Sequence, residues 1–474
     1  MAKAKKEIPP SIRRIDDVDA NGLVADTDLA NCLRLVQQHG DDLRFTPQRG
    51  WHCWNSQRWQ PGDELVMQRA KVTACHVYQE IQKPSGTIQS GSDAERAMLK
   101  WAQRSQSKHA LKAMIDLAES EPDIHTSIDT FDRDPYLLNC SNGTVDLRTG
   151  DIRNHRRSDL ITHVIEIEYD PDATGHLWLK FLNDVTGGDQ ALLEYLQRAV
   201  GYSLTGLTSE QVLFFVFGLG ANGKSVFLET IMRLLGEYGM AARTETVVQN
   251  RGGGIPNDIA RLAGARMVCI NETEDGQRLK ESLIKDLTGG DTISARFLHR
   301  EYFDFVPAFK LWIRGNHKLQ VRGTDEGIWR RIHLIPFTVK IPKDERDGEL
   351  GLKLQAELPG ILSWAVEGCL QWQQSGLNPP RQVVAAVEEY RSEMDDLGSF
   401  LDECVEVRVN GQSTAKALYS AYRKWADDSG EASVSQRRFG QAMVERGFSK
   451  ERHSAGYVYH GLTLPVPNDY QGDQ

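Results

Sequence analysis

The sequence predicts an α/β protein: a central domain with a sheet core, preceded by an α+β domain and followed by a winged helix-turn-helix. Three observations carry this prediction. Residues 212–230 read VLFFVFGLGANGKSVFLET, an apolar strand, a glycine-bearing loop and a helix-periodic segment in succession. From Gln211 to about Pro336 apolar strand-length runs alternate with helical patterns, as strands joined by crossovers require. From Ser413 onward two amphipathic segments, TAKALYSAYRKWADDSG and SVSQRRFGQAMVERG, precede FSKERHSAGYVYHGL, which reads as a polar-tipped hairpin.

The 474 residues, 40% of them hydrophobic, give room for about three domains with cores of their own. Residues 1–24 read as a basic, Pro-containing tail expected to be disordered. The N-terminal α+β domain takes 25–175, the central domain 176–345, a helical lid or linker 346–397, the winged helix 398–466 and a short tail 467–474. In the first domain the pattern is helical to about Glu121, broken by RFTPQRGWHCWNSQRWQPGD, which reads as a hairpin carrying Trp51, Trp54 and Trp59. NCSNGTVDLRTGDIRNH reads as a β-ribbon turned at Asn142-Gly143 and Thr149-Gly150, and THVIEIEYDPDA as a further strand with a Pro stop. WLKFLNDVTGGDQALLEYLQRAVGYSLTG supplies helices ending at Gly201. A later helix is opened by Asn378-Pro379-Pro380, prolines suiting a first turn.

Composition excludes several classes. No run of eighteen apolar residues exists, and MAKAKKEIPPSIRR lacks the apolar stretch of a secretory signal, so no membrane partner and a cytoplasmic location, that of a bacterial host, are expected. The seven cysteines are scattered without a Cys-x-x-Cys pair, which reads as reduced thiols rather than a zinc site. A net charge of -10 means that nucleic-acid contact must come from local clusters of Lys and Arg.

Gly218 to Ser225 spell G-x-x-x-x-G-K-S between an apolar run and a helix that Gly236 stops. Gly218, Gly220 and Gly223 let backbone amides curl round phosphates, Lys224 supplies a cation to the β/γ groups, and the Ser225 hydroxyl can ligate magnesium; Ala221, Asn222 and Val226 complete the stretch. ATP and Mg2+ are the cofactors this predicts. Hydrolysis also needs a carboxylate, and ARMVCINETED offers Glu272 and Glu274 after an apolar strand, with Glu272 the better metal or water-positioning candidate. In DTISARFLHREYFDFVPAFKLWIRGNH an alternating hairpin with Arg296, His299 and Arg300 near its tip precedes a buried strand ending at Asn316, which could contact the γ-phosphate or the attacking water. GTDEGIWRRIHLIPF sets Arg330 and Arg331 before one more apolar strand, where a guanidinium can stabilise a phosphoryl transition state. The chain has no NKxD motif of a GTPase and no LSGGQ-like signature of an ABC transporter.

With the phosphate loop, NETEDGQRLKESLIKDLTGGDTISARFL, FKLWIRGNHK and GTDEGIWRRIHLIPF in order, the sequence resembles superfamily-3 helicases, and more narrowly the poxvirus and satellite-phage type of primase-helicase. WNSQRW, NCSNGTVDLRTG and YDPDA resemble the helical domain preceding the ATPase in that group. The resemblance implies an AAA+-like P-loop core in a homo-oligomeric, hexameric ring around DNA. It implies that Lys224 and Ser225 bind nucleotide with magnesium, that Glu272 and Glu274 fill the second acidic motif, and that Asn316 is the polar sensor. Arg331, with Arg330 as second choice, would be an arginine finger acting on a neighbour's ATP. His299 and Arg300, with Arg296, would track the strand in the channel. The chain departs from larger members that carry a primase domain with spaced acidic metal ligands ahead of the helicase: it offers only Asp132 and Asp134 in the polar SIDTFDRDP loop toward such a set, so primase activity is not expected and a separate primase or other replication proteins become partners.

In the C-terminal module Ser435 should cap the second helix, placing Gln436, Arg437 and Arg438 in the first turn of a recognition helix, with Phe439, Met443 and Phe448 in the core. Lys450, Arg452 and His453 fall in the wing. Two functions follow as expectations: an ATP-dependent replicative DNA helicase of a phage or mobile element, or an ATP-switched origin-binding initiator or regulator that does not unwind.

Overall fold

Thr27 opens the first helix by accepting the Ala30 N–H at 3.1 Å, which satisfies one of the amides a helix start leaves unpaired. The computed structural model describes residues 27–82, 92–249, 256–271, 276–296, 302–321, 326–429, 433–454 and 456–464. Helix α1 (Asp28–His39) packs with α2 (Asp63–Gln82) and α4 (Lys108–Ala118) around Cys32, Leu35, Val66, Ala70 and Met114, with α3 (Asp93–Ser105) beside α2. The tryptophan-rich stretch forms three antiparallel strands rather than one hairpin: β1 (Leu43–Thr46), β2 (Gly50–Trp54) and β3 (Trp59–Pro61). Trp59 is fully buried there, with the Arg44 guanidinium 4.9 Å from its ring centre.

A second antiparallel ribbon follows, β4 (Leu137–Cys140), β5 (Gly143–Asp146) and β6 (Asp151–Arg153). The strand expected in THVIEIEYDPDA does not form; that segment makes only an isolated bridge between Cys140 and Ile165. Side chains take the backbone groups that a neighbouring strand would have taken. The Asp132 carboxylate accepts Thr162 N–H at 2.8 Å, and Glu237 accepts Val164 N–H at 3.0 Å. Asp132 is thereby held by Thr162 and His163, while Asp134 pairs with Arg148.

The central domain begins with α5 (His176–Thr186) and α6 (Gln190–Leu204), then runs β7 (Leu213–Phe217), α7 (Lys224–Leu235), β8 (Gly239–Ala242), α8 (Pro256–Ala260), β9 (Met267–Asn271) and α9 (Glu281–Gly289). A hairpin of β10 (Ile293–Arg296) and β11 (Tyr302–Phe305) leads to β12 (Lys310–Gly315), the short α10 (Glu326–Trp329) and β13 (Ile332–Pro336). Five of these strands make one all-parallel sheet in the order β13-β7-β12-β9-β8. It is covered on both faces, which explains the unbroken apolar run of β7: Phe214 and Val216 enter one core, Leu213 and Phe215 the other. Because β7 and β12 are central neighbours, the loops at their carboxyl ends meet.

Helix α6 does not end at Gly201 but continues through it to Leu204. Beyond the sheet lie α11 (Leu350–Ala356), α12 (Leu358–Ser375) and α13 (Arg381–Glu393), the last with Pro380 at its N-cap, one step outside the first turn. The chain closes with α14 (Asp396–Cys404), β14 (Glu406–Thr414), α15 (Ala415–Asp428), α16 (Gln436–Glu445), β15 (Lys450–His453) and β16 (Gly456–Thr463). The three strands form an antiparallel sheet in the order β14-β16-β15, and Phe400, Leu418, Tyr422, Phe439, Met443 and Tyr459 fill the core between it and the helices. Strand β14 has no counterpart in the reading from periodicity.

Candidate nucleotide and DNA sites

The loop between β7 and α7 can take its shape only with glycine at two of its positions. A Cβ on Gly218 would stand 2.3 Å from the Phe337 carbonyl oxygen, and one on Gly223, whose φ is +82°, would stand 2.5 Å from a Val185 methyl. Gly223 is the N-cap of α7, so the amides of Lys224, Ser225 and Val226 begin the helix at the loop's mouth. The loop is also tied from outside: Asn222 Nδ2 donates to Phe337 O at 2.8 Å, and Ile341 N donates to Ala221 O at 2.8 Å.

Lys224 is buried, 4% exposed, with its ammonium at the centre of this arrangement. Its Nζ donates to Gly218 O at 2.5 Å, Asn316 Oδ1 at 3.0 Å and Asn222 Oδ1 at 3.1 Å. Burial lowers its pKa, and the nearby Arg314 lowers it further. The structure thus brings together two residues that lie far apart in the chain, Lys224 and Asn316, because β12 pairs with β7 and ends beside the loop.

Both line a cleft of about 820 Å³, together with Gly220, Ala221, Asn222, Gly223, Ser225 and Val226. Its other walls went unread in the sequence. Leu177, Lys180, Phe181 and Asp184 come from one face of α5, a spacing that reads equally well as a helix packed on the core. Val339, Ile341, Pro342 and Leu350 add apolar surface from the chain after β13. Arg314, only 14% exposed, reaches the cleft from β12; a charged residue inside the apolar run KLWIRG was the available signal.

Glu272 and Glu274 lie outside the described residues, following Asn271, where β9 ends. His299 and Arg300 lie outside them as well; Arg296 is described, with its guanidinium 5.0 Å from the ring centre of the exposed Tyr302 across the hairpin. Arg331, the first choice for an arginine presented to a neighbour, is turned inward. It is 8% exposed, with Nε donating to Thr288 Oγ1 at 3.1 Å and Nη1 to Gly327 O at 2.5 Å. Arg330 is the exposed member of the pair, and its Nη2 donates to Gln211 Oε1 at 2.7 Å.

In the C-terminal module Ser435 caps α16 by accepting the Arg438 N–H, and Gln436, Arg437 and Arg438 are exposed in its first turn. Lys450 and Arg452 are exposed on β15; the Lys450 ammonium lies 4.4 Å from the Tyr457 ring centre and beside Gly440 of α16. Helix start and hairpin therefore expose their cations within one small domain.

The fold defines a class: a mixed α/β protein on a five-stranded parallel sheet, with a glycine-loop cleft at the carboxyl ends of its strands. Residues 32–187 match the family model described as D5 N terminal like, and residues 216–331 match a family of unknown function (DUF5906). Among curated proteins, "Putative helicase L207/L206" of Acanthamoeba polyphaga mimivirus is 28% identical over 321 residues, covering 62% of this chain and 33% of its own. "Putative helicase 022R" of Frog virus 3 (isolate Goorha) is 24% identical over 276 residues, covering 54% of this chain and 28% of its own. "Putative primase C962R" of African swine fever virus (isolate Tick/Malawi/Lil 20-1/1983) is 25% identical over 261 residues, covering 52% of this chain and 27% of its own. The match thus spans a third or less of these relatives' length. Among solved structures, the A form apo structure of the NrS-1 C-terminal region is similar with a TM-score of 0.48 and 9% identity, covering 90% of this chain and 96% of that one. The chain is thus similar, over about half to two thirds of its length, to viral proteins named putative helicase or putative primase, and carries a D5 N terminal like segment. No helix among the described residues is long and apolar enough to cross a membrane.

Proposed function

We propose that this chain is an ATP-driven DNA helicase serving the replication of a phage or mobile element. The observation that carries the reading is the hydrogen bond between buried Lys224 and Asn316 at the mouth of the cleft. A lysine cation, helix-start amides and a polar side chain from the next strand converge where a nucleotide's terminal phosphates would lie. The names of the viral relatives point the same way.

The residues present suit ATP. The loop packs so closely on Phe337 and Val185 that Gly218 and Gly223 admit no side chain, which fixes its path beside the amides that begin α7. Leu177, Phe181, Ile341, Pro342 and Leu350 offer an apolar wall suited to a base. Ser225 would hold a magnesium ion, with Glu272 or Glu274 completing the site; the metal would neutralise developing charge on the phosphates. Asn316 would hold Lys224 in register and orient the γ-phosphate or the water. Assembly into a ring, and DNA in its channel along the β10–β11 hairpin, belong to the same proposal.

The test is a forked-duplex unwinding assay on wild type and Lys224→Ala. The variant should lose ATP hydrolysis and strand separation by a factor of about 10² or more while still binding duplex DNA. Unwinding that survives the substitution would refute the motor. A second reading, an ATP-switched initiator, is favoured by the exposed cations at the start of α16 and on β15. It is the reading to adopt if wild type binds duplex tightly and hydrolyses ATP without opening the fork.

A further inference from the structure

The solvent-facing side of the C-terminal sheet carries a cluster that neither reading uses. Glu451 and His453 stand two residues apart on β15 and so share a face. His460 of β16 lies diagonally across from Glu451, whose direct partner is Val458. One ligating atom from each of the three lies within 4.8 Å of the others. His460 Nε2 is 3.4 Å and His453 Nε2 3.9 Å from Glu451 Oε2. A tetrahedral cation with bonds of about 2.0–2.1 Å holds its ligand atoms about 3.3–3.5 Å apart, so the set closes with a small rotation of the exposed His453.

The surroundings favour ligation. His460 Nε2 is shielded from solvent and makes no hydrogen bond. Its Nδ1 lies 3.3 Å from the side-chain amide nitrogen Nε2 of Gln412, which β14 places directly opposite His460, and a half-turn of that amide exchanges its nitrogen for its oxygen. With the amide oxygen turned to the ring, Nδ1–H donates to it, the tautomer that leaves the Nε2 lone pair for a metal. All three strands then contribute, two with ligands and one with an orienting contact.

We infer that Glu451, His453 and His460 form a binding site for a divalent transition metal of the zinc class, with two imidazoles, one carboxylate and a fourth position for water. The two nitrogen ligands select against magnesium and calcium, which take oxygen. Bound metal joins β15 to β16 on the face opposite Lys450 and Arg452, so it stiffens the hairpin without covering those cations.

The test reads binding directly, without ATP or DNA, and is independent of the helicase reading. The full chain, free of any histidine tag and carrying Cys75→Ser to remove the exposed thiol, is titrated with Co2+ and then with Zn2+. One equivalent of Co2+ should bind with the visible bands of a nitrogen/oxygen tetrahedral site and without the intense near-ultraviolet band of thiolate ligands, and Zn2+ should displace it. His453→Ala, His460→Ala and Glu451→Gln should each weaken binding about tenfold or more, and Zn2+ should raise the Tm of the parent but not of these variants. Absence of a Co2+ spectrum in the parent, or unchanged affinity in two of the three variants, overturns the site.

Discussion

At the scale of single residues, His333 shows what burial does to a titratable group. It sits on β13, with its Nδ1 in a hydrogen bond with the Tyr195 hydroxyl at 2.5 Å. Desolvation lowers its pKa from 6.5 to about 4. Above pH 6.5 the ring is neutral in both folded and unfolded chains, and its stabilising packing is fully available. As pH falls from 6.5 toward 4 the unfolded chain takes up a proton that the fold refuses, so stability declines by about 3 kcal/mol across that window. Urea denaturation at pH 7 and pH 4.5 should register the loss, and His333→Gln should flatten this part of the profile; an identical slope in the variant would exclude His333 as the cause. Residues like this are hard to read in a sequence. Nothing in WRRIHLIPF separates Arg331, which faces inward, from Arg330, which does not, because the choice depends on Thr288 and Gly327 lying beneath one of them. Lys310 is a second case: a fully buried ammonium, its pKa held well down by desolvation, donating to the carbonyls of Thr205 and Leu207.

At the scale of elements, local signals located what local forces decide. The strand, loop and helix around Lys224 were legible because glycine placement, helix start and apolar pattern all act within a few residues. Gly201 was misread for the opposite reason. A glycine near the end of a helical pattern suggests a stop, yet this one lies inside α6 at its crossing with α12. A Cβ there would come within 2.1 Å of Cys369 N and 2.3 Å of Gly368 C, while a Cβ on Gly368 would meet Gln197 O at 2.1 Å. The two helices touch backbone to backbone through a pair of glycines, a condition visible only once both are in place. Gly201→Ala must push them apart and should cost about 1–3 kcal/mol or more, read as a lowered Tm. The same substitution at Gly348, where a Cβ meets nothing, is the control; equal Tm values would show that the crossing yields freely. THVIEIEY failed as a strand by the same logic, since Asp132 and Glu237 reach it from distant segments.

At the scale of the whole molecule, sheet direction limits which arginine could reach a nucleotide bound at the proposed site. The five strands are parallel, and the cleft opens at the carboxyl ends of β7 and β12. Arg330 precedes β13, at the amino end of an edge strand, and contacts Gln211, which stands before β7 at that same end. The five residues of β13 separate it from the cleft level by about 16 Å at about 3.3 Å per residue, beyond what its side chain spans. Arg330 therefore cannot serve its own Lys224, and if it stabilises phosphoryl transfer it does so on a second copy of the chain. Arg331 shares that position but holds Thr288 and Gly327 within its own fold. Arg330→Ala should lower ATP hydrolysis by about 10³ or more at unchanged Tm, whereas Arg331→Ala should lower Tm first. Mixing Arg330→Ala with Lys224→Ala should restore turnover if the proposed ring forms, because a mixed seam would join an intact lysine to an intact arginine. Wild-type activity per chain should also fall on dilution below the assembly threshold. No recovery at any mixing ratio, together with undiminished activity in dilute monomers, would mean that each chain completes its own site and that the arginine must come from elsewhere in the same chain.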